Sequence, residues 1–176
     1  LFSFSVAMPW PRPGEAPDFS MLDEKMRLML AVNPRGLALI RFTVMAPRWW
    51  LDEHPSEQMA FSAPVAEDQG DPRWVSPSSD AWRADLAGPL TAFVAYCEER
   101  WGDHIASYHP CAQTTGEWFY ERSWEGVYSG FDEATRTGFA RWAEARYGTV
   151  EALRAAWRLP DVTFEAVRVP TAEERD

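Results

Sequence analysis

Leu37 to Val44 is a near-continuous apolar run broken once, by Arg41, with no polar/apolar alternation. That pattern suits a strand buried on both faces of a parallel sheet. Parallel neighbours need a crossover, most often a helix, and the sequence on either side supplies candidates. Upstream, Phe2, Phe4 and Val6 alternate with Ser3, Ser5 and Ala7, which is strand periodicity. The segment Pro9-Trp10-Pro11-Arg12-Pro13-Gly14 ends that strand. Ser20 is placed to cap a helix reaching about Ala31, with Leu22, Met26, Met29 and Leu30 as its apolar stripe and Asn33-Pro34 as its stop.

After Met45-Ala46-Pro47-Arg48-Trp49-Trp50 comes a long irregular stretch, to about Ser79, rich in Pro, Ser, Asp and Glu. A loop of that length inside a domain is commonly functional or disordered. Asp80 to Arg100 reads as a helix with Trp82, Leu86, Leu90, Phe93 and Cys97 on one face, and Pro89 predicts a kink or a division into two segments. His104 to Ala112 is strand-like and Gln113 to Gly130 is an aromatic loop. A helix follows from Phe131 or Asp132 to Tyr147, stopped by Gly148, and Thr149 caps a shorter one ending at Trp157. Val162 and Phe164 suggest a strand-like pair in the Pro- and charge-rich tail. Strand, helix, strand, helix, strand, helix is the order of an α/β protein built from right-handed βαβ units.

Charge and composition remove several classes. Seventeen Lys and Arg stand against 27 Asp and Glu, a net of −10, which argues against nucleic acid and anionic membrane surfaces as partners. The longest uncharged stretch, His104 to Gly116, is broken by Pro110 and falls short of the roughly 18 residues of a spanning helix. Cys97 and Cys111 cannot form a multi-disulfide framework or a four-ligand zinc site and read as buried thiols. No metal or cofactor is expected, since neither a Gly-rich phosphate loop nor an H-E-x-x-H pair occurs, and no G-x-S-x-G elbow is present. His54, His104 and His109 read as structural. The chain starts Leu1-Phe2-Ser3-Phe4, without an initiator Met or a basic n-region, so we expect it to be the interior of a longer protein.

The chemistry-bearing segment is Cys111-Ala112-Gln113-Thr114-Thr115-Gly116-Glu117-Trp118-Phe119-Tyr120. It places one carboxylate, Glu117, just past a predicted strand and among aromatics. Strand C-terminal ends build the active sites of parallel barrels. Aromatic surroundings desolvate a carboxyl and raise its pKa, as a general acid requires. Spacing alone leaves Glu117 either that acid or a solvated loop residue. Trp10 and Trp49-Trp50 also follow predicted strands, so these rings would share a rim, and Trp faces suit the C–H faces of sugar rings.

The run LDEKMRLMLAVNPRGLALIRFTVMAPRWWLDEHPSE resembles the helix after strand 2 and strand 3 of glycoside hydrolase family 42-like β-galactosidases. SPSSDAWRADLAGPLTAFVAYCEERWGDHIASYHPCAQTTGEWFY is similar to their helix 3 and strand 4, and FARWAEARYGTVEALRAAW to the segment that follows. The resemblance implies a clan A (β/α)8 TIM barrel and a retaining glycosidase with its acid/base Glu at the end of strand 4, where Glu117 stands. The family places Asn before this Glu, in contact with the sugar 2-hydroxyl; here Gly116 holds that position, which bears on substrate choice. A whole barrel needs about 250 residues, and the segments here match strands 2 to 4 only, so residues 1–176 are expected to form a single partial TIM-barrel catalytic domain. Retention needs a second carboxylate about 5 Å from the first; the family takes it from strand 7, which these segments do not include. The expected partner is a β-galactoside-like carbohydrate, with Trp10, Arg41, Trp49, Gln113, Trp118 and Tyr120 as contacts. Two other readings are a non-catalytic carbohydrate-binding or scaffold module, and an ester hydrolase formed by an oligomer. Open sheet edges predict a homo-oligomer that covers them.

Overall fold

The apolar run becomes the central strand of a parallel sheet. In the computed structural model, which describes residues 1–63, 73–112, 118–120 and 123–175, β1 (Phe2–Ala7), β2 (Ala38–Thr43) and β3 (Ile105–Cys111) pair in the order β1-β2-β3. Register aligns Ser5 with Arg41 and Arg41 with His109, so these three residues share one face. Helix α1 (Ser20–Val32) connects β1 to β2, and α3 (Asp80–Trp101) precedes β3. The described residues form two compact units, Leu1–Trp49 with Trp82–Phe119 and Trp50–Ala81 with Tyr120–Asp176.

In the first unit, Ala38, Ile40, Phe42 and Val44 are buried, while Leu39 and Arg41 are half-buried and Thr43 is exposed. The expectation of burial on both faces is therefore corrected to burial on one. Phe93 of α3 lies against Phe42 with ring centroids 4.8 Å apart, and Trp82 donates its indole N–H to the Val44 carbonyl at 3.1 Å. These contacts explain why Pro89 neither breaks nor divides α3, which is one helix of 22 residues. Pro89 cannot donate to the carbonyl a turn earlier, but buried Trp82 and Leu86 before it and Phe93 and Cys97 after it anchor both halves. Each large apolar side chain so buried contributes about 1.5–3 kcal/mol.

Helix α1 starts differently from its expected cap. Ser20 is the first helical residue, and the side chain of Asp18 accepts its N–H at 2.9 Å. The turn into β2 needs Gly36, where a Cβ would sit 3.0 Å from the Asn33 carbonyl oxygen and 3.2 Å from the Phe2 ring. Asp23, on the buried face of α1, is the hub of a polar knot. Its Oδ1 accepts from Tyr96 Oη (3.0 Å) and Trp101 Nε1 (2.9 Å), and its Oδ2 from Arg27 Nη2 (2.8 Å) and Arg100 Nε (3.2 Å). Burial pushes the carboxyl pKa up. The Trp101 and Tyr96 hydrogen bonds and the Arg100 and Arg27 charges outweigh it, leaving the pKa below the ordinary 3.8.

The second unit contains most of α2 (Arg48–Glu53), a tight helical turn at Pro55–Glu57, α4 (Glu133–Tyr147), α5 (Val150–Trp157) and α6 (Ala172–Arg175). Asp132 caps α4 by accepting the Thr135 N–H at 2.8 Å, and Gly148 ends it at φ +72°. Thr149 caps α5 through the Ala152 N–H at 3.2 Å. Ala143, Leu153 and Val167 form a small buried core. Val162 and Phe164 pack on this core from a turn-rich segment and form no strand, because burial against helices rather than pairing satisfies them. Among the described residues no helix is long and apolar enough to cross a membrane.

Candidate active site

The C-terminal ends of β1, β2 and β3 carry the residues expected to act. After β1, the Pro-rich segment cannot continue the ladder, and it brings Trp10 and Arg12 beside Trp49. The Trp49 indole N–H donates to the Trp10 carbonyl at 3.4 Å, and the Arg12 guanidinium lies over the Trp49 ring, 5.4 Å from its centroid. Trp49 is the second residue of α2. Its neighbour Trp50 faces inward with 1% of its surface exposed and stacks on His54 at 4.0 Å. Helical geometry turns successive side chains by roughly 100°, which separates the two tryptophans.

Arg41 lies on the less covered face of the sheet, two residues before the end of β2. A cavity of about 390 Å³ opens there, with Ser5, Ala7, Arg41, Thr43 and Cys111 in its wall. The buried Nε of Arg41 has no hydrogen-bond partner among the described residues.

Trp118 is bonded to the end of β3. The Trp118 backbone N–H donates to the Ala112 carbonyl at 3.2 Å, and its indole N–H to the Pro110 carbonyl at 3.0 Å. These bonds hold Trp118 at φ +62°, a left-handed conformation uncommon for a residue with a side chain, with 49% of its surface exposed. Exposed aromatics continue through Phe119 and Tyr120. Glu117 and Gln113 lie outside the described residues.

The structure thus brings Trp10 and Trp49 into contact, and places Arg41 and Trp118 near the ends of β2 and β3. These four belong to the first unit and Tyr120 to the second. Sequence reasoning missed Arg12; its place between two prolines, which fix the local backbone, is the signal that could have marked it.

The histidines have local partners where contacts are resolved: His54 Nδ1 meets the Trp50 carbonyl at 2.9 Å and His104 Nδ1 the Gly36 carbonyl at 3.2 Å. Both cysteines are buried thiols, and burial pushes Cys97 up to about 12. Among the described residues no group of three His, Cys, Asp or Glu could hold a metal ion.

The parallel sheet, its crossover helices and its solved neighbours define the fold as part of a (β/α)8 barrel. The β-galactosidase of the psychrophilic Marinomonas ef1 superposes with a TM-score of 0.67 at 22% identity, covering 96% of this chain and 26% of that one. The catalytic domain of β-amylase from Paenibacillus polymyxa superposes with a TM-score of 0.71 at 13% identity, covering 97% and 46%. The glycoside hydrolase family 42 model, described as β-galactosidase, matches residues 1–171, and the chain belongs to that family. A β-galactosidase from an Arthrobacter species is 31% identical over 155 residues, and β-galactosidase Bga from Halorubrum lacusprofundi is 28% identical over 144. These alignments cover 88% and 80% of this chain but 20% and 18% of the relatives, so the chain spans about one fifth of their length.

Proposed function

We propose that residues 1–176 are part of a single catalytic domain of a retaining β-galactosidase-like glycosidase, and that Glu117 is its acid/base. The observation that carries this reading is the anchoring of Trp118 at the end of β3: tied to the Ala112 and Pro110 carbonyls, it is the residue next to Glu117 in the chain. The sugar would meet Trp10, Arg41, Trp49, Gln113, Trp118 and Tyr120, with tryptophan faces against C–H faces and polar groups on hydroxyls. Glu117 would protonate the glycosidic oxygen as the bond breaks, then take a proton from the water that attacks the glycosyl-enzyme. The nucleophile would be a second carboxylate about 5 Å away, from a later strand of the barrel. The substrate would be a β-galactoside-like carbohydrate, and copies of the chain would associate to cover the outer edges of β1 and β3.

The test is Glu117→Gln in the intact protein. Turnover of ordinary galactosides should fall by roughly 10²–10⁴-fold. Activity should partly return with leaving groups that depart without protonation. Unchanged turnover on ordinary substrates would remove Glu117 from the mechanism.

A further inference from the structure

Among the described residues, Trp118 and Arg158 are the non-glycine residues with a left-handed backbone. Arg158 ends α5, where a left-handed residue is an ordinary way to close a helix. None of the described helices or strands ends at Trp118. A backbone outlier that no element end explains points to function.

The two bonds that hold Trp118 have a chemical consequence. Indole carries one donor and no hydrogen-bond acceptor, and here that donor is spent on the Pro110 carbonyl. The ring therefore offers a ligand its flat faces and nothing else. Trp118 keeps 49% of its surface exposed, at the C-terminal end of β3. The other strands of a barrel would cover the face of the sheet, but the C-terminal strand ends stay open as the side where substrate enters.

A face whose donor is spent gains from any flat ring laid on it and fixes no particular hydroxyl. That suits the variable part of a glycoside, its leaving group. The chemistry of retention points the same way. The nucleophile attacks the anomeric carbon from the side opposite the departing oxygen, so the acid that protonates this oxygen stands on the leaving group's side. Glu117, the acid of the reading above, immediately precedes Trp118 in the chain.

We propose that Trp118 is the platform for the leaving group, so that this site favours galactosides whose leaving group carries a flat ring, as a second sugar unit does, over those that release a small alcohol. The inference rests on the glycosidase reading and narrows its substrate class.

The experiment is steady-state hydrolysis of methyl β-galactoside, benzyl β-galactoside and a β-galactosyl disaccharide by the intact protein. Methanol and benzyl alcohol are of nearly equal acidity, so the first two substrates differ in the flat ring and hardly in their need for protonation. In the unaltered protein kcat/KM for the benzyl compound should exceed that for the methyl compound by at least about fivefold, the worth of one aromatic stacking contact. Trp118→Ala should bring this ratio close to one, and the disaccharide should lose by the same factor as the benzyl compound. Trp118→Phe, which keeps a flat face, should retain most of the ratio; urea midpoints of both variants confirm that they fold. Equal kcat/KM for benzyl and methyl galactosides in the unaltered protein would overturn the proposal while leaving the glycosidase reading standing. So would a ratio that survives Trp118→Ala, or a disaccharide rate that the change does not touch. Hydrolysis of none of the three would overturn the glycosidase reading and this inference with it.

Discussion

The polar knot at Asp23 gives a graded prediction. Its two oxygens have separate duties: Oδ1 serves Tyr96 and Trp101, and Oδ2 serves Arg27 and Arg100. Asp23→Asn can keep the Oδ1 pair and turns an amide N–H₂ toward the arginines. Those arginines are about half exposed, at 58% and 48%, and regain water, so each lost ion-pair bond counts at no more than about 1 kcal/mol. The expected cost is about 1–2 kcal/mol. Asp23→Ala also strips the acceptor from the Trp101 indole and the Tyr96 hydroxyl, adding about 1 kcal/mol each, for a total of about 3–4 kcal/mol. At roughly 2–4 °C per kcal/mol for a chain of this size, Ala lowers Tm by about 6–16 °C and Asn by about 2–8 °C. Urea melts at pH 7, read as midpoint and slope, check the order. The folded pKa lies below the ordinary 3.8, so the carboxylate's contribution is complete above that value and is lost as pH falls through the folded pKa. The gap between Asp and Asn proteins should stay constant from neutral pH down to about 5 and narrow below about 4. Asn as damaging as Ala, or a gap that persists at the acid end, would refute the division of labour between the two oxygens.

Two further measurements follow from burial. Trp50→Ala should cost about 3–5 kcal/mol, as loss of a buried Trp does, whereas Trp49→Ala removes a partly buried ring and should cost less, about 1–2 kcal/mol; paired thermal melts separate them. Cys97, held up to about 12 by burial, should resist alkylation at pH 8 and react in step with the urea transition; fast labelling of the native protein would refute its burial.

What could be read in the sequence divides by range. The caps Asp132 and Thr149 and the stop at Gly148 act within one turn, so the local string reveals them. The β2 run was legible for the same reason, but the cover on each of its faces was not, since that depends on where α1 and α3 lie. Asp23 looks like an ordinary helix-surface acid until Tyr96, Arg100 and Trp101, 73 to 78 positions later, arrive beside it. Pro89 carries a strong local signal that distant contacts overrule: Phe42 and Val44 hold the helix on both sides of it. At the candidate site, Arg41 interrupting an apolar run was visible in the string, whereas the rim expected of Trp49 and Trp50 together gave no sign that Trp50 is buried. Arg12 over Trp49 was not visible, because it joins residues 37 positions apart.

The left-handed backbone of Trp118 bears on how this protein responds to selection. An aromatic residue in that conformation costs about 1–2 kcal/mol relative to glycine. A library screened for heat resistance alone would drift toward Gly or Asn at 118 and gain stability. It would also lose the half-exposed indole at the end of β3, so thermostable lineages and functional lineages are expected to part company at this codon first.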